Sequence, residues 1–182
     1  TINANGEGGI STFYGGAGGG SGGSVWIDAD TLTGTGSISA DGGTDGGGWN
    51  GCGGGASGGR IAIYYTTDTF TTTNNVHAYG KLSSGCPSGG GAGTVYYKNP
   101  TQTYGQLIID NNNNNYAKSG PLDTSLTFDE VIIRNRGYVD FKPVSVSTPY
   151  YQINSFNLQN NSIAYFLGDE GSSTVPIGFW KM

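Results

Sequence analysis

Ile38-Ser39-Ala40-Asp41-Gly42 is one of six copies of a five-residue segment that decides the predicted fold. The first and third positions are apolar in every copy. Because alternate residues of a strand share one face, both side chains should point to one interior. The other copies begin at Ile2, Val76, Leu107, Val131 and Phe156, so successive copies are 36, 38, 31, 24 and 25 residues apart. The fifth position is always Gly or Asn, the residues that most readily adopt a left-handed turn: Gly6, Gly42, Gly80, Asn111, Asn135 and Asn160.

Internal repeats of this length are typical of stacked units, each of which buries its apolar face against the next. A second shared strand begins at Val25, Ile61 and Val95, and a third shared segment places Leu32 and Phe70 inward. Three strands per turn predict an all-β fold, a right-handed parallel β-helix, or solenoid, of about six turns.

Glycine-rich stretches lie between the first and second strands of each repeat, at residues 15–24, 42–60 and 83–94. Because they recur at one place in the repeat, we expect ordered loops stacked on one side of the β-helix. Extended glycine runs can also approach one another closely enough to hydrogen-bond between turns.

The loops disappear from residue 101 onward, where Gly105-Gln106-Leu107 matches Gly36-Ser37-Ile38 and predicts that the same wall continues. We therefore expect one β-helix domain over residues 1–171, with long turns in 1–100 and short turns in 101–171. Residues 172–182 predict a C-terminal strand or arm, which alternates Val175, Ile177 and Phe179.

The composition excludes several classes of function. Glycine supplies 35 of 182 residues, charged residues are only 12%, and the net charge is -5. An acidic chain without a basic patch is not expected to bind nucleic acid. No stretch approaches the roughly 18 apolar residues of a membrane span, so no membrane insertion is expected.

The glycine-rich pattern of residues 15–43 resembles the repeats of large secreted bacterial surface proteins. Gly93-Thr94-Val95-Tyr96-Tyr97 followed by Leu107-Ile108-Ile109-Asp110-Asn111 is similar to the same repeats. The resemblance covers about residues 1 to 140. It implies a pectin-lyase-like right-handed parallel β-helix that is secreted, extracellular or on a cell surface.

The two cysteines occupy equivalent positions of adjacent repeats, since Cys52 and Cys86 each precede an inward strand residue, Ile61 or Val95, by nine residues. Their spacing predicts a disulfide and therefore an oxidising compartment. Two cysteines and one histidine fall short of the four ligands of structural zinc, so we expect no metal and no cofactor.

The other polar candidates have mostly structural interpretations. We expect His77 to be a solvated surface residue and Asp41 and Asp110 to be turn residues that bond their own backbone. The two carboxylates are also spaced for an inverting glycosidase pair. We nevertheless predict no catalytic residues and no enzyme.

The asparagines at the ends of the last three copies, Asn111, Asn135 and Asn160, predict a ladder in which each amide bonds the next turn. Asn160 also begins the sequence Asn160-Asn161-Ser162, which matches a glycosylation acceptor.

Six outward residues are candidate contacts for a glycan or a partner: Trp26, Tyr64, Tyr79, Tyr96, Ile108 and Ile132. The unpaired ends of a β-helix favour self-association. We therefore expect a structural module or subunit of an extracellular fibre, pilus-like filament or large surface adhesin. It would associate end to end with further copies or repeats, or by donating the strand that contains Val175, Ile177 and Phe179. The alternatives are a carbohydrate-binding surface module and a polysaccharide lyase or hydrolase.

Overall fold

A computed structural model describes residues 1–48, 51–70, 75–83, 89–114, 117–120, 122, 126–141 and 152–166. Within these residues the chain forms eleven strands and no helix. The strands are β1 (Ile2–Asn3), β2 (Ser24–Leu32), β3 (Ile38–Ser39), β4 (Arg60–Asp68), β5 (Val76–His77), β6 (Thr94–Lys98), β7 (Gln106–Asp110), β8 (Thr127–Arg134), β9 (Tyr138–Phe141), β10 (Gln152–Leu158) and β11 (Ile163–Phe166).

Three sheets contain these strands. Sheet A is β1-β3-β5, sheet B is β10-β8-β7-β6-β4-β2, and sheet C is β11-β9. In sheet A, equivalent residues of the repeat are parallel neighbours, since Ile2 pairs with Ile38 and Ile38 pairs with Val76. In sheet B, Val25, Ile61 and Val95 are parallel neighbours on β2, β4 and β6 in the same way.

The prediction of a right-handed parallel β-helix is wrong, because sheet B mixes parallel and antiparallel pairs. Strand β7 runs antiparallel to β6 and pairs Leu107 with Tyr96, whereas the sequence predicted that Leu107 would continue the wall of Ile38 and Val76, beside Val76 in sheet A. A coil of parallel turns needs every strand in one wall to run the same way. The reversal after β6 breaks that requirement.

The loop between β6 and β7 causes the reversal. Asn99 Oδ1 accepts hydrogen bonds from the Thr101 N–H at 2.9 Å and the Thr101 hydroxyl at 2.6 Å. Pro100 lies between them with a backbone angle suited to a tight turn. Gly105 ends the loop at φ +81°, a conformation that glycine adopts without a steric penalty.

The reversal gives sheet B a core on each face. The front core lies between β2-β4-β6 and sheet A and contains Ile38, Ala40, Ile61, Ile63, Phe70, Val76, Ala78, Val95 and Tyr97. The rear core contains Ala92, Leu107, Ile109, Phe128, Val131, Ile133, Val139 and Phe141. Tyr96 packs against the rear core although its neighbours Val95 and Tyr97 belong to the front core. Ile108 packs against the front core although its neighbours belong to the rear core.

The glycine-rich segments pack chain against chain. Gly16, Gly19 and Gly22 donate hydrogen bonds to the carbonyls of Gly51, Gly54 and Ser57 at 3.1, 3.1 and 3.0 Å. Donors three residues apart match the three-residue turn of an extended polyproline II-type helix. These segments therefore satisfy their backbone groups by bonding to one another, outside the three sheets.

Gly6, Gly42 and Gly80 do not adopt the left-handed conformation predicted for them, since among the described glycines only Gly34 and Gly105 have positive φ. A Cβ added at these three positions would lie 1.8, 2.1 and 2.0 Å from the carbonyl oxygens of Gly20, Ala56 and Gly90, respectively. Close approach of two backbones explains glycine at this position. Asn135 and Asn160 differ, with φ of +53° and +50°.

Candidate functional site

Apolar residues of the first repeat are more exposed than their equivalents in the next two repeats. Ile2 is 45% exposed, whereas Ile38 and Val76, its equivalents in the next two repeats, are 3% and 7% exposed. On β2 the inward residues Val25 and Ile27 are half-buried, while Ile61 and Ile63 beside them are fully buried. We call β1, β2 and the intervening residues 4–23 the open end.

Among the described strands, none pairs with the outer edge of β2, which is the last strand of sheet B and is nine residues long. The Arg60 N–H donates to the Gly23 carbonyl at 2.9 Å. Backbone groups alternate in direction along a parallel strand. The N–H groups of Val25 and Ile27 therefore point toward β4, and those of Trp26 and Asp28 point toward the free edge. An edge of this kind is a template for a further strand.

Three of the candidate contact residues form an aromatic row on the face of sheet B opposite the front core, where Tyr96 joins the rear core. The ring centroids of Trp26 and Tyr64 are 4.7 Å apart, and those of Tyr64 and Tyr96 are 5.7 Å apart. Trp26 is 69% exposed. The Tyr96 hydroxyl donates to the Tyr104 carbonyl at 2.7 Å. Burial raises the pKa of Tyr96, and the charges of Tyr64 and Asp129 raise it further.

The other three candidates lie elsewhere. Tyr79 stacks on His77, with ring centroids 4.5 Å apart and an angle of 5° between the rings. Ile108 is partly buried against the front core, and Ile132 is its cross-strand neighbour on β8. The structure therefore does not bring these residues together with the aromatic row.

A shallow depression adjoins the aromatic row, with a volume of about 280 Å³. Its lining includes Asp28, Asp30, Tyr64, Tyr65, Lys98 and Asn99. Asp28, Tyr64 and Lys98 are direct cross-strand neighbours on β2, β4 and β6. A carboxylate and an ammonium group thus flank one aromatic ring.

Asp41 is the centre of a partly buried polar cluster. Its Oδ1 lies 2.7 Å from His77 Nδ1 and accepts a bond from the Tyr79 N–H at 2.8 Å. Its Oδ2 accepts from Lys81 Nζ at 3.1 Å. Burial alone would raise the pKa of Asp41, but the bonds from His77, Tyr79 and Lys81 outweigh burial and lower it.

Asp110 holds a second cluster, whose charges also act on Tyr79. Its Oδ2 accepts from Arg134 Nε at 2.6 Å, and its Oδ1 accepts from the Asn112 N–H at 2.8 Å. Burial raises the pKa of Tyr79, the negative charges of Asp110 and Asp41 add to this effect, and Arg134 opposes it. Asp41 therefore bonds to the next repeat, whereas Asp110 holds its own turn and strand β8. We propose no reaction for either carboxylate.

The asparagine ladder begins at Asp110 and not at Asn111, as the sequence predicted. Asn160 Nδ2 donates to Asn135 Oδ1 at 2.9 Å, and Asn135 Nδ2 donates to Asp110 at 3.1 Å. Asn111 instead accepts a bond from the Gly80 N–H at 3.1 Å. Asn160 is exposed, and its glycosylation stays a prediction.

Several sequence predictions fall wholly or partly outside the described residues. Cys52 is disulfide-bonded, while Cys86, its predicted partner, lies outside them. The arm at residues 172–182, with Val175, Ile177 and Phe179, also lies outside them. In the part of the chain that the structure describes, no group of three or more His, Cys, Asp or Glu side chains could hold a metal ion, and no helix could cross a membrane.

Sequence reasoning missed Asp129, which clamps the loop before β7. Its Oδ2 accepts bonds from the N–H groups of Tyr104 at 2.8 Å and Gly105 at 2.9 Å. The bond from the Tyr104 N–H does most to lower the pKa of Asp129, and the bond from Gly105 lowers it further. Burial opposes both effects. Asn154 Nδ2 donates to its Oδ1 at 3.2 Å. The repeat spacing of 25 residues that separates Asp129 from Asn154 could have revealed this contact.

Comparisons with protein-family models, with curated proteins and with solved structures found no match for this chain.

Proposed function

We propose that this chain is a self-associating structural module of an extracellular fibre or large surface protein, and that a second copy docks on the open end. One observation carries the proposal. The same repeat position is 45% exposed at Ile2 but only 3% and 7% exposed at Ile38 and Val76. A docked strand would bury Ile2, Val25 and Ile27 as the second repeat buries its own residues.

The energetics favour such docking. Full burial of a Val or Ile side chain contributes about 1.5–3 kcal/mol, so completing the burial of several half-exposed side chains offsets part of the entropic cost of association. The free edge of β2 adds backbone hydrogen bonds through Trp26, Asp28 and their alternate neighbours.

The sequence of residues 172–182 fits the role of the docked strand. Val175, Ile177 and Phe179 alternate with small or polar residues and proline, as Val25 and Ile27 alternate with Trp26 and Asp28 on β2. A strand donated from a second copy would place its three apolar side chains over the open front core. Donation from one copy to the next is a head-to-tail contact, which produces an open filament when the rotation between copies does not close a ring.

The disulfide state of Cys52 supports an oxidising location outside the cytoplasm. The low content of charged residues, 12%, is also consistent with a chain whose surfaces are covered by other copies.

The test compares the wild-type chain, Asp28→Pro and a chain without residues 172–182 by analytical ultracentrifugation over a concentration series and by negative-stain electron microscopy. We expect the wild type to form filaments or a ladder of oligomers. Asp28→Pro removes an N–H from the free edge, and the deletion removes the donated strand, so both variants should be monomeric.

Asp28→Ala is the matched control, because it removes the carboxylate but keeps the N–H and should still associate. Circular dichroism checks that every variant is folded. A monomeric wild type, or filaments that persist in Asp28→Pro, would contradict docking on β2. If the deleted chain still formed filaments while Asp28→Pro did not, the role of residues 172–182 would be contradicted.

A further inference from the structure

We propose that the aromatic row and the depression beside it form a binding site for a neutral glycan, one whose pyranose rings carry equatorial hydroxyl groups. The proposal goes beyond self-association and uses a different surface. Trp26 and Tyr64 lie on the face of sheet B opposite the front core, whereas a docked strand would bond to the edge of β2.

Trp26 supplies the stacking surface. Its side chain is 69% exposed, so a large apolar ring faces water. Tyr64 packs beside it at 4.7 Å, with 32° between the ring planes, and Tyr96 continues the row at 5.7 Å from Tyr64. These contacts restrict the rings before a ligand arrives, which lowers the entropic cost of binding. A pyranose with equatorial hydroxyls has two apolar C–H faces that can stack on an aromatic ring.

The polar groups beside Tyr64 suit the hydroxyl groups of such a sugar. Asp28 lies across from Tyr64 on one neighbouring strand and Lys98 on the other, each about 4.8 Å away in the backbone. Asp28 can accept a hydrogen bond from one sugar hydroxyl, while Lys98 can donate to another. The sheet therefore places an acceptor and a donor on the two sides of an aromatic ring.

The charge of the depression favours a neutral glycan over an acidic one. Two carboxylates, Asp28 and Asp30, line it together with one ammonium group, that of Lys98. The chain as a whole has a net charge of -5. A polyuronate would thus meet net repulsion at the site and over the surrounding surface.

Binding can be measured by isothermal titration calorimetry with cellohexaose, laminarihexaose and hexagalacturonate as probes. We expect one of the two neutral hexasaccharides to bind and hexagalacturonate to bind at least tenfold more weakly. Addition of the neutral probe should shift one indole N–H resonance, which is absent from the spectrum of Trp26→Ala.

Trp26→Ala should weaken binding of the neutral probe at least tenfold. The matched control is Tyr14→Ala, which removes an aromatic side chain that is 80% exposed but lies outside the row, and it should bind like the wild type. A wild type that binds neither neutral probe, equal binding by Trp26→Ala, or preferred binding of hexagalacturonate would each overturn the proposal. The chain without residues 172–182 separates the two proposals, because the deletion leaves the aromatic row and the lining of the depression unchanged. Loss of filaments in this chain with unchanged binding of the neutral probe would leave the glycan site intact.

Discussion

Asp41 is a single residue whose charge should stabilise the fold, because three donors compensate for its burial. It is 5% exposed, and His77, Lys81 and the Tyr79 N–H surround its carboxylate. We expect Asp41→Asn to lower the free energy of unfolding by about 2–3 kcal/mol at neutral pH, since hydrogen bonds to a buried charge are among the stronger ones.

The loss should depend on pH in one direction. The pKa of Asp41 is lowered below its ordinary value of 3.8 in the folded chain. Its contribution is therefore present above about pH 4 and is lost as the pH falls through the folded pKa. Urea unfolding of the wild type and of Asp41→Asn near pH 7 and near pH 2.5 measures this loss of stability. Asp30→Asn, a change at an exposed residue, is the control. An equal loss at both pH values would contradict the role of the charge.

Individual residues also show what could be predicted from the sequence. Glycine at the fifth repeat position indicated that a side chain is not tolerated there. The reason, a carbonyl oxygen 1.8 Å from the Cβ that Gly6 lacks, depends on residues 14 positions away in a loop without periodic side chains. Asn135 does adopt the left-handed conformation expected at that position.

Among the larger elements, the glycine-rich segments resemble flexible linkers in composition but are tightly packed against one another. A Cβ on Gly43 would lie 1.9 Å from the Glu7 carbonyl oxygen, a backbone atom that cannot move aside easily. Gly43→Ala should therefore cost about 2–3 kcal/mol of stability. Thermal unfolding followed by circular dichroism measures the change.

Gly15→Ala is the matched control, because a Cβ at Gly15 meets no atom within 4 Å. It should change stability by less than about 0.5 kcal/mol. Similar effects of the two substitutions would mean that the segments are not packed as described.

The sequence could identify β6 and β7 as strands but predicted the wrong neighbour for β7. The hairpin between them explains the difference, because it turns β7 back beside β6. Asn99 and Pro100 are a turn signal between two apolar runs, and that signal indicates a reversal. The match of residues 105–107 to residues 36–38 favoured continuation instead. Alternation alone cannot decide, because reversing a strand keeps its pattern and only changes which face becomes the interior.

At the scale of the whole molecule, the described residues form two cores on one sheet, where the sequence predicted a single interior. The sequence predicted that Tyr96 and Ile108, which point away from their inward neighbours on β6 and β7, are surface contacts. Tyr96 instead packs against the rear core, and Ile108 packs against the front core. The spacing of the repeats could place Ile38 beside Val76, but it contains no information about which side of a later strand a second layer covers.

Because β6 and β7 are hydrogen-bonded neighbours in sheet B, we expect the two cores to unfold together. Ile133→Ala removes a fully buried side chain from the rear core and should cost about 2–5 kcal/mol. Native-state hydrogen exchange should then show the same loss of protection in β4 of the front core as in β8, since the slowest amides open only by global unfolding. Ile63→Ala, a fully buried change in the front core, is the matched control and should lower protection in β8 equally.

If each substitution lowered protection only in its own half, the hairpin would join two independently stable units. A second copy docked on β2 would then stabilise only the front core, whereas a cooperative sheet transmits that stabilisation to β10.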